Sequence, residues 1–158
     1  MRYSILWVSL LLLFIGGCAL KEYAPSEGKL ITLKMPDFRF NDVGYVRYSD
    51  SGVEVELFSA GQLVEKFVIE ENICTQDGCM EPENFYRNYL HVNYPNAALR
   101  HIFRGEPIFQ KQGLQKTAEG FKQLIDTDEY NIVYKVTQQS IYFKDSRNGV
   151  MITIREIP

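Results

Sequence analysis

The chain has 158 residues, 46% hydrophobic and 13% aromatic, with 17 basic against 20 acidic side chains and a net charge of -3. That length predicts one domain with a real core. The composition excludes a disordered chain, which lacks the apolar surface needed to offset its ordering entropy. The weakly acidic balance also excludes a nucleic-acid binder, because phosphate neutralisation needs a clustered excess of Lys and Arg.

The first segment carries a targeting signal. Met1-Arg2-Tyr3 is a short basic start, and Ile5 to Ile15 is an apolar run of eleven. A bilayer span needs about 20 such residues, so the run reads as the core of a secretory signal peptide over 1–17. It ends in Ile15-Gly16-Gly17-Cys18, the pattern of a bacterial lipobox. The small residues admit a signal peptidase, and the Cys18 thiol carries the thioether-linked lipid. Cleavage there removes one basic residue, Arg2, leaving 16 basic against 20 acidic, or -4. Each buried acyl methylene contributes about 0.8 kcal/mol, and two or more chains anchor stably. Ala19 after the cysteine favours the outer membrane over the inner one. The expectation is a lipid-anchored protein on the periplasmic face of a Gram-negative outer membrane. Residues 18–28, with Lys21 to Gly28 rich in Pro, Ser, Gly and charge, read as lipidated N-terminus and tether.

Two further cysteines, Cys74 and Cys79, bracket Thr75-Gln76-Asp77-Gly78. In an exported chain such a pair is a candidate disulfide. Free thiols and a metal or redox pair are the alternatives, though structural zinc wants four ligands. A ring this short pins one loop rather than the whole fold.

Beyond the tether, strands come first. Leu30 to Met35 and Phe38 to Tyr48 are candidates, with Asn41-Asp42 as a bulge or turn within the second. Gly52 to Ser59 alternates Val53, Val55 and Leu57 against Glu54, Glu56 and Phe58. Turns flank it at Ser49 to Gly52 and Ala60-Gly61. Gln62 to Ile69 puts Leu63, Phe67 and Ile69 on one face, broken by Glu65. The period then changes. Glu81-Pro82-Glu83 opens a helix that Tyr94-Pro95 stops, and Asn96 caps a second, Ala97 to Arg104, ended by Gly105. Phe121 to Ile125 is a strand candidate, competing with a helix from Thr117 to Leu124. Tyr130 to Thr137, Ser140 to Lys144 and Val150 to Ile157 return to period two, with Asn148-Gly149 as a hairpin turn. The reading is mainly β: a curved antiparallel sheet with two short helices between its halves.

Motifs for catalysis are missing. There is no nucleophile elbow, zinc-protease helix, P-loop or dinucleotide fingerprint. His91 and His101 have no nucleophile or ligand cluster beside them in sequence. Glu54 and Glu56 share one face of a strand and read as its solvated side rather than a paired-acid site. Neither enzymatic activity, a cofactor nor a metal site is expected.

The order of elements is lipobox, tether, meander, two helices, meander. The stretch NAALRHIFRGEP, Asn96 to Pro107, resembles the helix end of the LolB family of outer-membrane lipoprotein receptors. Val55 to Glu70 is similar to that family's strand–Gly–Leu–strand hairpin, and Gly120 to Ile157 to its closing strands. The resemblance implies a single LolA/LolB-like domain over 29–158, an open half-barrel whose apolar cavity receives the acyl chains of other lipoproteins. Its implied partners are those lipoproteins and a periplasmic LolA-like carrier, with the chain itself a monomer. The cavity candidates on the strands are Val46, Val55, Leu57, Phe67, Ile132, Tyr134, Ile141, Phe143 and Ile152. Those on the helix are Leu99, Ile102 and Phe103. A leucine-bearing loop promotes membrane delivery in the family, and Leu63 is the matching position. The alternative is a structural or interaction lipoprotein of the envelope, with a solid core and no lipid cargo.

Overall fold

Residues 27–157 are described by the computed structural model. The expected signal peptide, Cys18 and most of the expected tether lie outside them.

Alternating side chains make strands, and here they make one sheet. Its eleven strands are β1 (Gly28–Lys34), β2 (Arg39–Tyr48), β3 (Val53–Ser59), β4 (Gln62–Ile69), β5 (Ile73–Thr75), β6 (Gly78–Met80), β7 (Leu114–Thr117), β8 (Gly120–Asp126), β9 (Asn131–Thr137), β10 (Ser140–Asp145) and β11 (Val150–Glu156). The spatial order is β6-β5-β4-β3-β2-β1-β11-β10-β9-β8-β7, so the first and last meanders join where β1 pairs with β11. Every pairing is antiparallel. The two ends of the sheet do not pair, which leaves an open half-barrel with edges at β6 and β7. Ile31 of β1, Val46 of β2, Val55 of β3, Ile132 of β9, Phe143 of β10 and Ile152 of β11 all point to one buried face.

The helical layer on that face lies between the two meanders in sequence. It holds α1 (Pro82–Phe85), which runs on as a π-helical turn at Tyr86–Leu90, and α2 (Ala98–Arg104). Pro82 starts α1, where its missing N–H costs nothing. The first helical stretch ends at His91, whose φ of 54° is left-handed, before Tyr94-Pro95 is reached. Gly105, at φ 66°, closes α2, and the Glu106 N–H returns to the His101 carbonyl at 2.9 Å.

Several expectations need correction. Asn41 and Asp42 form no bulge: they pair with Thr32 and Ile31, and Thr32 Oγ1 donates to Asn41 Oδ1 at 2.7 Å. The bulge lies instead in β4, where Glu65 faces Leu57 while Leu63 faces Phe58, so Val64 is the extra residue. That shift moves Leu63 off the face of Phe67 and Ile69. Asn96 is not a cap either; Ala97 occupies that position, without a side-chain hydrogen bond. Of the two competing readings near Phe121, the strand holds and the helix does not, because the partners of residues 120–126 on β7 and β9 complete the ladder. Strands β5, β6 and β7 have no period-two signal, being three or four residues each.

Candidate functional site

The concave face brings the predicted cavity residues together. Val46, Val55, Leu57, Phe67, Leu99, Ile102, Phe103, Ile132, Tyr134, Phe143 and Ile152 are all buried in one cluster. Ile141 sits at its rim, half-buried, beside Gly105. Sequence periodicity missed an equal contribution from the helical layer: Phe85, Tyr86, Leu90 and Tyr94 are as deeply buried. Their rings link those of the sheet into one chain of contacts, Phe38–Phe67–Phe85–Tyr86–Tyr94–Phe143–Tyr134–Phe121, each pair 5.6 to 6.4 Å between centroids. All are edge-to-face, the geometry that the ring quadrupoles favour.

The layer is held to the sheet by hydroxyls on carbonyls. Tyr134 of β9 donates to Glu106 O at 3.0 Å and lies 3.4 Å from the carbonyl oxygens of His101 and Ile102. Tyr48 of β2 donates to Phe103 O at 3.1 Å. Arg104 reaches across to Ser49 O at 2.9 Å and Gly52 O at 3.2 Å. The last turn of α2 leaves carbonyls without intrahelical partners, and both halves of the sheet supply donors to that end. Tyr86 Oη donates to Asn96 O at 2.9 Å and accepts from the Leu99 N–H at 3.2 Å, joining the π turn to α2. Burial pushes the Tyr86 hydroxyl up to about 12 and holds that of Tyr134 still higher. Both therefore remain donors throughout the physiological range.

Two buried polar residues organise the rest, and neither stands out in the sequence. Gln123 of β8 accepts from the Ile108 N–H at 2.8 Å and donates to Ile108 O at 3.0 Å and Gln112 O at 2.8 Å. It thereby grips both ends of a turn in which Phe109, Gln110 and Lys111 all have positive φ, a conformation L-residues adopt at a cost. Asp145 of β10 accepts from Tyr94 and from the turn that follows it. Beside the strained turn lies an apolar cleft of about 390 Å³, lined by Pro95, Ala97, Ala98, His101 and Phe109. Phe109 also stands edge-on to Tyr94 and Tyr130, at 6.1 and 5.0 Å between ring centroids.

Leu63 is the first apolar residue after a two-residue turn whose centre, Ala60-Gly61, has φ of 49° and 78°. It lies on β4 rather than in a loop, and both it and Val64 are 44% exposed. Cys74 and Cys79 are directly opposed on β5 and β6 and form a disulfide. Glu54 and Glu56 are not a solvated face: Arg47 lies 2.6 Å from each, and Lys66 lies 2.9 Å from Glu54. Burial raises the Glu54 pKa, but hydrogen bonds from Lys66 and Arg47 outweigh it and hold the carboxyl below its ordinary range. His91 and His101 lie 3.6 and 3.9 Å from Asp37 and Glu106. Among the described residues there is no group of three His, Cys, Asp or Glu able to hold a metal, and no helix long and apolar enough to cross a membrane.

Compared with protein-family models, curated proteins and solved structures, the chain gives no match.

Proposed function

We propose that the protein is a lipid-anchored, LolB-like acceptor: it takes up acyl chains of other lipoproteins on its concave face and passes them to the outer membrane. The observation that carries this reading is the make-up of the cover over that face. An unclosed sheet is roofed by a four-residue helix, a π turn, a seven-residue helix and a strained turn. None of these is long enough to be stable alone. Besides ring contacts, their attachment to the sheet is a few polar bonds: tyrosine hydroxyls on carbonyls, Arg104 on the Ser49 and Gly52 carbonyls, and Tyr94 on Asp145. Such a roof can lift as a unit, exposing an apolar trough in which every acyl methylene leaves water. The apolar cleft beside Phe109 supports the same reading, since its volume lies within the range of ligand sites. Under this reading the anchor is Cys18, the donor is a periplasmic LolA-like carrier, and the chemistry is transfer without covalent change. The test is titration of the purified, non-lipidated protein with a fluorescent fatty-acyl probe. Saturation near one probe per chain is expected.

A second reading rests on the continuous chain of rings. In it the same side chains are a finished core, packed to native density, and the protein is a structural or interaction lipoprotein. No probe binding is then expected. Phe143→Ala separates the two further. In a finished core it costs about 3–5 kcal/mol; beneath a roof that lifts it costs less and changes probe affinity.

A further inference from the structure

On the convex face, three apolar side chains converge over the start of β1. A Cβ added at Gly28 would meet Ile157 Cδ1 at 3.3 Å, Val43 Cγ1 at 3.5 Å and the Tyr45 ring at 3.9 Å. Val43 is 36% exposed and Ile157 48%. The Phe58 ring stands edge-on to Tyr45 at 5.6 Å and extends the patch along β3. This is the face opposite the core, because Gly44 and Val46, which flank Tyr45, point inward. Arg155, exposed and in register with Leu30, places a cation at its border.

The position of the patch identifies its partner. Gly28 is the tenth residue after Cys18, and ten extended residues reach at most about 35 Å. A lipid on Cys18 therefore keeps this corner of the domain within a tether length of the bilayer surface. We propose that the convex face around Gly28, Val43, Tyr45 and Ile157 lies on that surface. The apolar side chains then sit at the headgroup boundary and Arg155 faces lipid phosphates. The concave face and its roof are turned toward the periplasm, from which cargo would arrive. The proposal rests on lipidation of Cys18.

Tryptophan reports on this directly, because the one tryptophan of the sequence, Trp7, precedes Cys18 and leaves with the signal peptide. Full lipidated protein carrying Val43→Trp, Ile157→Trp or Leu124→Trp is reconstituted into vesicles of phosphatidylethanolamine and phosphatidylglycerol with brominated acyl chains. Leu124, 47% exposed on distant β8, is the control. Quenching at least roughly threefold stronger at 43 and 157 than at 124 is expected, given an insertion depth of about 5–10 Å for interfacial side chains. Equal, weak quenching at all three positions in protein that floats with the vesicles overturns the proposal and leaves the anchor standing. Failure to float overturns both. A blue shift at 43 that appears in detergent and grows with protein concentration assigns the face to a second copy, and overturns it too.

Discussion

The hydroxyl of Tyr94 donates a 2.8 Å hydrogen bond to Oδ2 of Asp145, tying the segment between α1 and α2 to the end of β10. The carboxylate is completely buried, yet it is well supplied with donors. Oδ1 accepts from the N–H groups of Arg147 at 3.1 Å and Asn131 at 3.2 Å, and Oδ2 from Asn148 Nδ2 at 2.6 Å. One acid thus fixes the β10–β11 turn, the start of β9 and the helical layer together.

Removing the Tyr94 hydroxyl alone should be visible. In Tyr94→Phe the ring packing survives and Asp145 loses one donor, so a loss of about 1–3 kcal/mol is expected. Asp145→Ala should cost more, because several backbone N–H groups and the Tyr94 hydroxyl lose their acceptor together. Urea unfolding of the two variants checks the order. A Tyr94→Phe variant as stable as the parent contradicts the role assigned to this bond.

The same burial predicts alkaline sensitivity. Burial raises the pKa of Tyr86 to about 12, and raises those of Tyr94 and Tyr134 beyond it, with the Asp145 charge adding to the effect at Tyr94. In the unfolded chain a tyrosine ionises near 10. Above that pH the unfolded state binds fewer protons than the folded one, so stability falls as pH rises. The contribution is intact below pH about 10 and declines through the window up to the folded values, by at most about 1.4 kcal/mol per unit for each group. Urea midpoints measured from pH 8 to pH 11.5 should drop above pH 10, and Tyr86→Phe should flatten part of that drop. A profile that stays level to pH 11.5 rules the linkage out.

The concave face was legible in the sequence because a strand with one buried side alternates strictly. Val55 and Leu57 against Glu54 and Glu56 left little choice of register. For the same reason alternation puts Leu63 on the wrong face: it carries no sign of an inserted residue, and the bulge at Val64 reverses the phase. The helical layer was half legible. Pro82 between two acids marks a helix start, but whether Tyr86 or Tyr94 points into the sheet depends on the π turn and the left-handed His91. Gln123 and Asp145 were illegible, since a polar residue inside a strand pattern reads as solvent-facing until its partners are known. Glu54 failed in the same way: its burial depends on Arg47 and Lys66, contributed by neighbouring strands.

Gln123 supplies a local test of the strained turn. Gln123→Leu keeps volume but leaves the Ile108 N–H and the carbonyls of Ile108 and Gln112 without their buried partner. Each such group costs about 1–3 kcal/mol, and the left-handed conformation of residues 109–111 loses its support. Hydrogen exchange should quicken at Ile108, Lys111 and Gln112 while the amides of β2 and β3 keep their protection. Uniform acceleration across the sheet would mean that Gln123 serves the whole fold rather than this turn.

Leu63 tests delivery apart from binding. It is exposed beside Val64 at the end of the β3–β4 hairpin, and it contributes nothing to the buried cluster on the concave face. A charge there should change stability by no more than about 0.5 kcal/mol, as for other exposed positions. It should leave the affinity for an acyl probe unaltered as well. Under the acceptor reading its effect falls on the last step. An acyl chain leaving the trough must enter the bilayer, and a carboxylate at the hairpin tip holds that tip out of the apolar boundary by its desolvation cost. Leu63→Glu should therefore bind cargo normally yet fail to transfer it from a LolA-like carrier into outer-membrane vesicles. Leu124→Glu, the same change at an equally exposed leucine on β8, should transfer at the parental rate. If both variants deliver cargo as the parent does, Leu63 has no part in release. If both fail alike, the defect comes from the added charge and not from the hairpin.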